Sequence, residues 1–200
     1  LVNVPAGAIV GGNTISGCND GLNLTDSSPT CTGNTLSDLL RYPIVEVGTC
    51  LPTYSGTSLV GTTHYEGIGV NGLITENKTW GDIEGWGYPH VVLGISNIDV
   101  NDTLSVTPGH WVKFEYTSDT SNKRLLIVDG VLDVQGDAGN RVVFSSNRDD
   151  SDGNDSNGDG GATNPQPGDW GYIRYDVGGN TLDWCRIRYG GVRTNALYAV

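Results

Sequence analysis

The chain has 200 residues, 36% of them apolar, and carries a net charge of −12 from 23 acidic against 11 basic side chains. That balance excludes nucleic acid as the expected partner, and no stretch approaches the roughly 20 consecutive apolar residues that a membrane helix requires. With 30 glycines and short Val- and Ile-containing runs bounded by Gly, Asn, Asp or Pro, the expected class is all-β with many turns rather than disordered.

The sequence starts at Leu1 and has no Met and no charged-then-apolar leader, which reads as a processed or excerpted form rather than a primary translation product. From Leu1 to Val10 the even positions Val2, Val4, Ala6, Ala8 and Val10 are apolar, a period-2 strand pattern. Pro5 restricts that strand to an edge or a bulge, so residues 1–10 are a candidate donor or edge strand. A turn-rich stretch follows to Leu36, then a short helical segment is expected at Ser37 to Arg41 and strands at Tyr42–Gly48, Ser58–Gly61 and Tyr65–Val70. Residues 1–72 therefore read as a small β-rich N-terminal region of unassigned topology.

Cys18, Cys31 and Cys50 fall in this Gly- and Ser-rich region, where a cross-link would support a small core. Either Cys18–Cys31 or Cys31–Cys50 would close a loop worth roughly 3 kcal/mol. No C-x-x-C spacing points to zinc or thiol redox chemistry, and Cys185, in the alternating run Leu182 to Tyr189, reads as a small buried apolar residue. N-x-S/T sequons begin at Asn23, Asn77, Asn101 and Asn154 and are candidate glycosylation sites.

From Leu73 onward short strands recur between tight turns. Leu104-Ser105-Val106 before Pro108-Gly109 is answered by Leu126-Ile127-Val128 before Asp129-Gly130, each followed by another strand. Such repetition suggests coils stacked into parallel sheets. The blocks Tyr88 to Val92, Leu104 to Phe114, Leu126 to Gly136, Arg141 to Ser146, Gly168 to Ile173 and Leu182 to Gly191 resemble the right-handed parallel β-helix repeat domains of secreted and cell-surface proteins of bacteria and archaea. The resemblance covers residues 73–200 and implies a short, parallel β-helix, with an acidic insertion at residues 147–169. It implies secretion or surface display, and its end at Val200 suggests a short or truncated helix.

The insertion holds the chemistry. Asp155-x-Asn157-x-Asp159-Gly160 matches the first half of an EF-hand-type loop, and Asp150-x-Asp152-x-Asn154 offers an overlapping set. Carboxylates this dense repel one another, and Ca²⁺, with six to eight oxygen ligands at flexible angles, suits them. One or two ions are expected. The twelfth position from Asp155 is Gln166, so Asp169 is the candidate closing ligand. Saturating protein oxygens leave no open position for a substrate, so the expected role is a structural clamp.

His64, His90 and His110 are isolated in sequence and read as structural. No Gly-x-Ser-x-Gly elbow or phosphate-cradling loop is present. Trp80, Trp111, Trp170 and Trp184 read as packing residues, whereas Trp86 beside Tyr88 is a candidate exposed sugar-stacking pair. The leading expectation is an extracellular structural protein, calcium-stabilised and self-associating into a surface assembly or filament through β-strand contacts. The alternatives are a polysaccharide lyase or hydrolase, with Arg174, Arg186 or Arg188 near calcium, and a glycan-binding adhesion module.

Overall fold

A computed structural model describes residues 1–93, 98–100, 102–191 and 197–199. The described residues are all-β, without a helix, and form a parallel β-solenoid. Strands come in triplets, one triplet per coil. The first coil holds β1 (Ile9–Gly11), β2 (Thr14–Ser16) and β3 (Leu22–Thr25); the second β4 (Thr30–Thr32), β5 (Thr35–Leu39) and β6 (Ile44–Val47); the third β7 (Thr53–Ser55), β8 (Ser58–Thr63) and β9 (Ile68–Asn71). Then follow β10 (Leu73–Ile74), β11 (Lys78–Trp80) and β12 (His90–Val92); β13 (Ile98–Val100), β14 (Thr103–Val106) and β15 (Trp111–Phe114); and β16 (Leu126–Val128), β17 (Val131–Gln135) and β18 (Val142–Ser146). The last are β19 (Ile173–Tyr175), β20 (Thr181–Asp183), β21 (Cys185–Ile187) and β22 (Leu197–Ala199).

The third strand of every coil joins one seven-stranded parallel sheet, β3 through β21. The first and second strands form two sheets before residue 72 (β1-β4-β7 and β2-β5-β8) and two new ones after it (β10-β13-β16-β19-β22 and β11-β14-β17-β20). The 72/73 junction thus marks where two of the walls are renewed, while the third runs through, β9 pairing with β12. The N-terminal region of unassigned topology is part of the same solenoid.

Its repeat is plain once the register is known. Ile9 to Ser16 lies beside Thr30 to Ser37, which in turn lies beside Thr53 to Val60, aligning Gly12-Asn13-Thr14, Gly33-Asn34-Thr35 and Gly56-Thr57-Ser58. The three glycines have φ of 67°, 61° and 67°, the left-handed geometry that lets the chain turn the corner between the first two walls. Behind that corner Asn34 is fully buried: its Oδ1 accepts from the Asn13 amide N–H (3.1 Å) and side chain (3.0 Å), and its Nδ2 donates to the Val10 carbonyl (2.8 Å). Outward hydroxyls also stack, Thr53 on Thr30 (3.3 Å) and Ser55 on Thr32 (3.1 Å).

Several expectations are corrected. Ser37 to Arg41 is no helix: Thr35–Leu39 is a strand, with a register shift around Asp38, whose φ is 52°. Leu104-Ser105-Val106 does not stack on Leu126-Ile127-Val128; it lies beside Leu132-Asp133-Val134, because the insertions shift each coil's phase. Of the two readings of residues 1–10, donor or edge strand, the structure has the edge: β1 ends the sheet β1-β4-β7. The Leu1 ammonium donates to the Asn23 carbonyl, Val2 bridges Thr25 in parallel, and Ile9–Gly11 is already paired with β4. Cys18, Cys31, Cys50 and Cys185 are all free thiols, so neither expected disulfide forms; burial pushes the Cys31 and Cys50 thiols up. Cys50 Sγ instead donates to the Val47 carbonyl (3.3 Å).

The interior is a column of stacked apolar residues. Ile44, Ile68, His90, Val112, Phe144 and Ile187 follow one another across the seven-stranded sheet. Phe114 stacks on Trp170 with centroids 4.1 Å apart. His90 is the polar member of its column: its Nδ1 lies 2.8 Å from His110 Nε2, and its ring stacks on Trp80. Burial drives the His90 pKa well down, with His110 and Lys78 adding to it, and brings His110 to about 4 against the upward pull of Asp82. Both imidazoles are therefore neutral structural groups.

Candidate functional site

The acidic insertion leaves β18 at Ser146 and rejoins the solenoid at Trp170, crossing the outside of the seven-stranded sheet on the way. Its docking explains why that outer surface is apolar. Tyr42, Val45, Val91 and Leu93 form a second buried cluster there, outside the coil interior. The Tyr42 hydroxyl donates to the Ser156 carbonyl (3.1 Å), and the Glu66 amide donates to the Asp155 carbonyl while the Asp155 amide donates to the Glu66 carboxylate. Gly158, at φ 69°, sits against Tyr65 so closely that a Cβ would meet Cε1 at 2.2 Å, which only glycine avoids. The insertion is thus a strap laid over four coils, those of β6, β9, β12 and β15.

Lys113 is the strap's anchor on the sheet. It points outward from β15, is 0% exposed, and donates to Asp152 Oδ1 (2.9 Å) and the Asn154 carbonyl (3.1 Å). A buried ammonium requires such partners, because desolvating it alone costs several kcal/mol. Asp152 is therefore held by this cation rather than among the clustered carboxylates. Asn154 is held by its Nδ2, which donates to the Gly87 carbonyl (3.2 Å).

The carboxylates of Asp150, Asp155 and Asp159 do converge, each offering an oxygen within 4.8 Å of the others, and all three are partly buried. With metal–oxygen distances of about 2.3–2.6 Å, one Ca²⁺ fits among oxygens so spaced. Asn157 adjoins them, its Nδ2 donating to Asp159 Oδ2 (2.7 Å). Asp150 Oδ1 and Asn157 Oδ1 are buried acceptors with no hydrogen-bond partner, the state expected of oxygens suited to a cation. Burial lifts the Asp150 pKa to about 6, with Asp155, Asp159 and Asp152 raising it and Lys113 opposing. Asp155 and Asp159 are shaped by turns: Asp155 accepts from the Asp159 and Gly160 amides, and Asp159 from Ala162 and Thr163.

Asp169 does not close this group. It is buried beneath the strap's far end, where Oδ2 accepts from Ser146 Oγ (2.8 Å) and the Gln166 amide (3.1 Å), and Oδ1 faces Arg148 (3.5 Å). Asp149, which the sequence did not single out as a ligand, pairs with Arg188 (2.8 Å); its hydrogen bonds from Ser145 and Ser151 and the Arg188 guanidinium hold its pKa below the usual range, although burial opposes them. Arg174 pairs with Asp176, and Arg186 is exposed. The Trp86–Tyr88 pair is partly buried against the core, whereas Trp184, read as packing, is 51% exposed beneath Arg141. Asn23 and Asn77 are exposed, and Asn101 lies outside the described residues.

Comparisons with protein-family models, with curated proteins and with solved structures find no match.

Proposed function

We propose that this protein is an extracellular structural module, secreted or displayed on a cell surface, in which Ca²⁺ fastens the acidic strap to the solenoid and copies associate through open strand edges. The observation that carries the reading is the convergence of Asp150, Asp155 and Asp159 in a strap whose other contacts are already made. The bound ion relieves carboxylate repulsion and holds the strap over Tyr42, Val45, Val91 and Leu93. Asp150, Asp155, Asp159 and Asn157 supply its oxygens, and the remaining positions are filled by backbone carbonyls or water.

Self-association is supported by the first coil. That coil carries Leu1, Val2 and Ile9 at 50%, 66% and 74% exposure, apolar side chains of the kind that pack against another strand. The contact is edge-to-edge rather than by an inserted donor, and head-to-tail repetition gives a filament. Glycans at Asn23 and Asn77 suit the same exported setting.

Calcium titration followed by thermal melting and limited proteolysis tests the clamp. Chelation should make residues 150–165 the first site of cleavage while the coils stay folded. Unchanged cleavage and melting with and without calcium would remove the clamp. Light scattering of the wild type against Val2→Lys and Ile9→Lys tests assembly, and identical monomeric mass in all three would remove it.

A further inference from the structure

Two adjoining cavities lie along the strap's border with the solenoid. One, of about 420 Å³, runs between Arg148, Asn164 and Tyr189; the other, of about 280 Å³, runs between Tyr65, Tyr116 and Arg148. Arg148 and Thr163 line both, so the two form one cleft. Each volume is close to or within the roughly 300–1,000 Å³ typical of small-molecule sites.

The lining selects a chemistry. Apart from Pro165 its apolar surface comes from tyrosine rings, and the rest is amide, hydroxyl, guanidinium and carboxylate. That composition disfavours lipid or an apolar peptide, which need aliphatic walls. Most lining charges have a partner, Arg148 facing Asp169 (3.5 Å), Arg188 facing Asp149 (2.8 Å) and Glu115 pairing with Arg124, while Asp150 adds a further carboxylate to the larger cavity. No cationic excess is left to draw a polyanion, and the protein's net charge of −12 opposes one. Tyr116 is 39% exposed at the rim, and the Arg148 guanidinium (4.2 Å) and the Lys123 ammonium (5.0 Å) near its ring centroid hold the ring in place.

We infer that this cleft binds an uncharged, hydroxyl-rich sugar chain. Sugar hydroxyls donate and accept at once, matching walls that offer both, and sugar C–H faces pack on the tyrosine rings. The site is distinct from the Trp86–Tyr88 pair. It uses the strap as a wall, and Asp150 in the larger cavity and Asn157 in the smaller are also residues assigned to the ion, so the cleft rests on that reading and all binding is measured with calcium present.

The experiment is isothermal titration with the β-1,4-linked hexasaccharides of glucose, xylose and mannose and the β-1,3-linked hexasaccharide of glucose, with heparin as the anionic probe. At least one neutral chain should bind saturably and heparin should not. Tyr116→Ala should weaken that binding about tenfold, Asn164→Trp should block it by filling the larger cavity, and Trp184→Ala, at an exposed aromatic outside the cleft, should leave it unchanged. Circular dichroism melts confirm that each variant is folded. Failure of all four neutral chains, tighter binding of heparin, or full binding by Asn164→Trp would overturn the inference. The calcium titration stands or falls separately, through melting and proteolysis without sugar.

Discussion

The coils before residue 72 and those after it solve the same packing problem differently. The first three are nearly uniform: their corners repeat Gly-Asn-Thr or its close variant, and hydroxyls and a buried Asn stack from coil to coil. The later coils carry long insertions. The Leu132 amide donates to Asn180, 48 residues on, against 21 residues between the stacked Asn13 and Asn34. Uniform coils satisfy polar groups through neutral repetition. Interrupted coils do so through unique ion pairs, Lys113 with Asp152 and Arg188 with Asp149, and Lys78 with Glu46 ties the two regions together. In a solenoid each coil leans mainly on its neighbours, so the two designs should fail in different ways.

The largest effect is expected where an ion pair is buried. Asp152→Ala leaves the Lys113 ammonium, which is 0% exposed, without its carboxylate and should cost about 3–5 kcal/mol in urea unfolding. Lys113→Met combined with Asp152→Leu should recover most of that loss, since a matched apolar pair removes both desolvation penalties. A single-variant loss below about 1 kcal/mol would mean that water solvates Lys113 and that the strap is looser than its contacts indicate.

Acid should come next. His90 and His110 are neutral when folded and titrate near the ordinary value of about 6.5 when unfolded. Their folded pKa values are lowered, so the unfolded chain takes up more protons below that value. Stability is therefore full above about pH 6.5 and falls as pH drops toward 4, where His110 titrates in the folded chain. His110 alone accounts for on the order of 3 kcal/mol across that window. The groups facing the pair are Lys78, which opposes His90 protonation, and Asp82, which favours that of His110. Melting temperature against pH should flatten in His110→Gln; an equally steep curve would assign the acid sensitivity elsewhere.

The same contrast explains what the sequence made legible. Strands after Leu73 stand out because apolar triplets alternate with turn residues, and the acidic loop stands out by composition. The earlier repeat is harder to see, since inward positions carry Val10, Cys31 and Tyr54 in one column and Ile15, Leu36 and Leu59 in the next. Only the Gly-Asn-Thr corner persists, and it resembles ordinary turn chemistry. Within the acidic loop, local spacing marks Asp155 and Asp159, whose carboxylates converge with that of Asp150 from the overlapping set. Asp152 lies beside Lys113 of β15, 39 residues away, and Asp169 beside Arg148 at the other end of the strap, contacts that no spacing along the loop displays. The His90–His110 contact likewise depends on register between coils rather than on any pattern along the chain.

The neutral ladder gives the smaller effects, and their grading tests whether repetition or any single contact carries the first coils. Asn34→Ala removes three hydrogen bonds at a fully buried corner and leaves the Val10 carbonyl and the Asn13 amide without those partners, a cost of about 1–3 kcal/mol. Thr53→Val removes only the exposed hydroxyl stacked on Thr30 and keeps a β-branched side chain in the strand, so its effect should lie within about 0.5 kcal/mol. If Thr53→Val instead costs as much as Asn34→Ala in the same urea titration, the outer hydroxyl rows contribute to stability as strongly as the buried corner. The difference between the two regions would then lie in their surfaces rather than in what they bury.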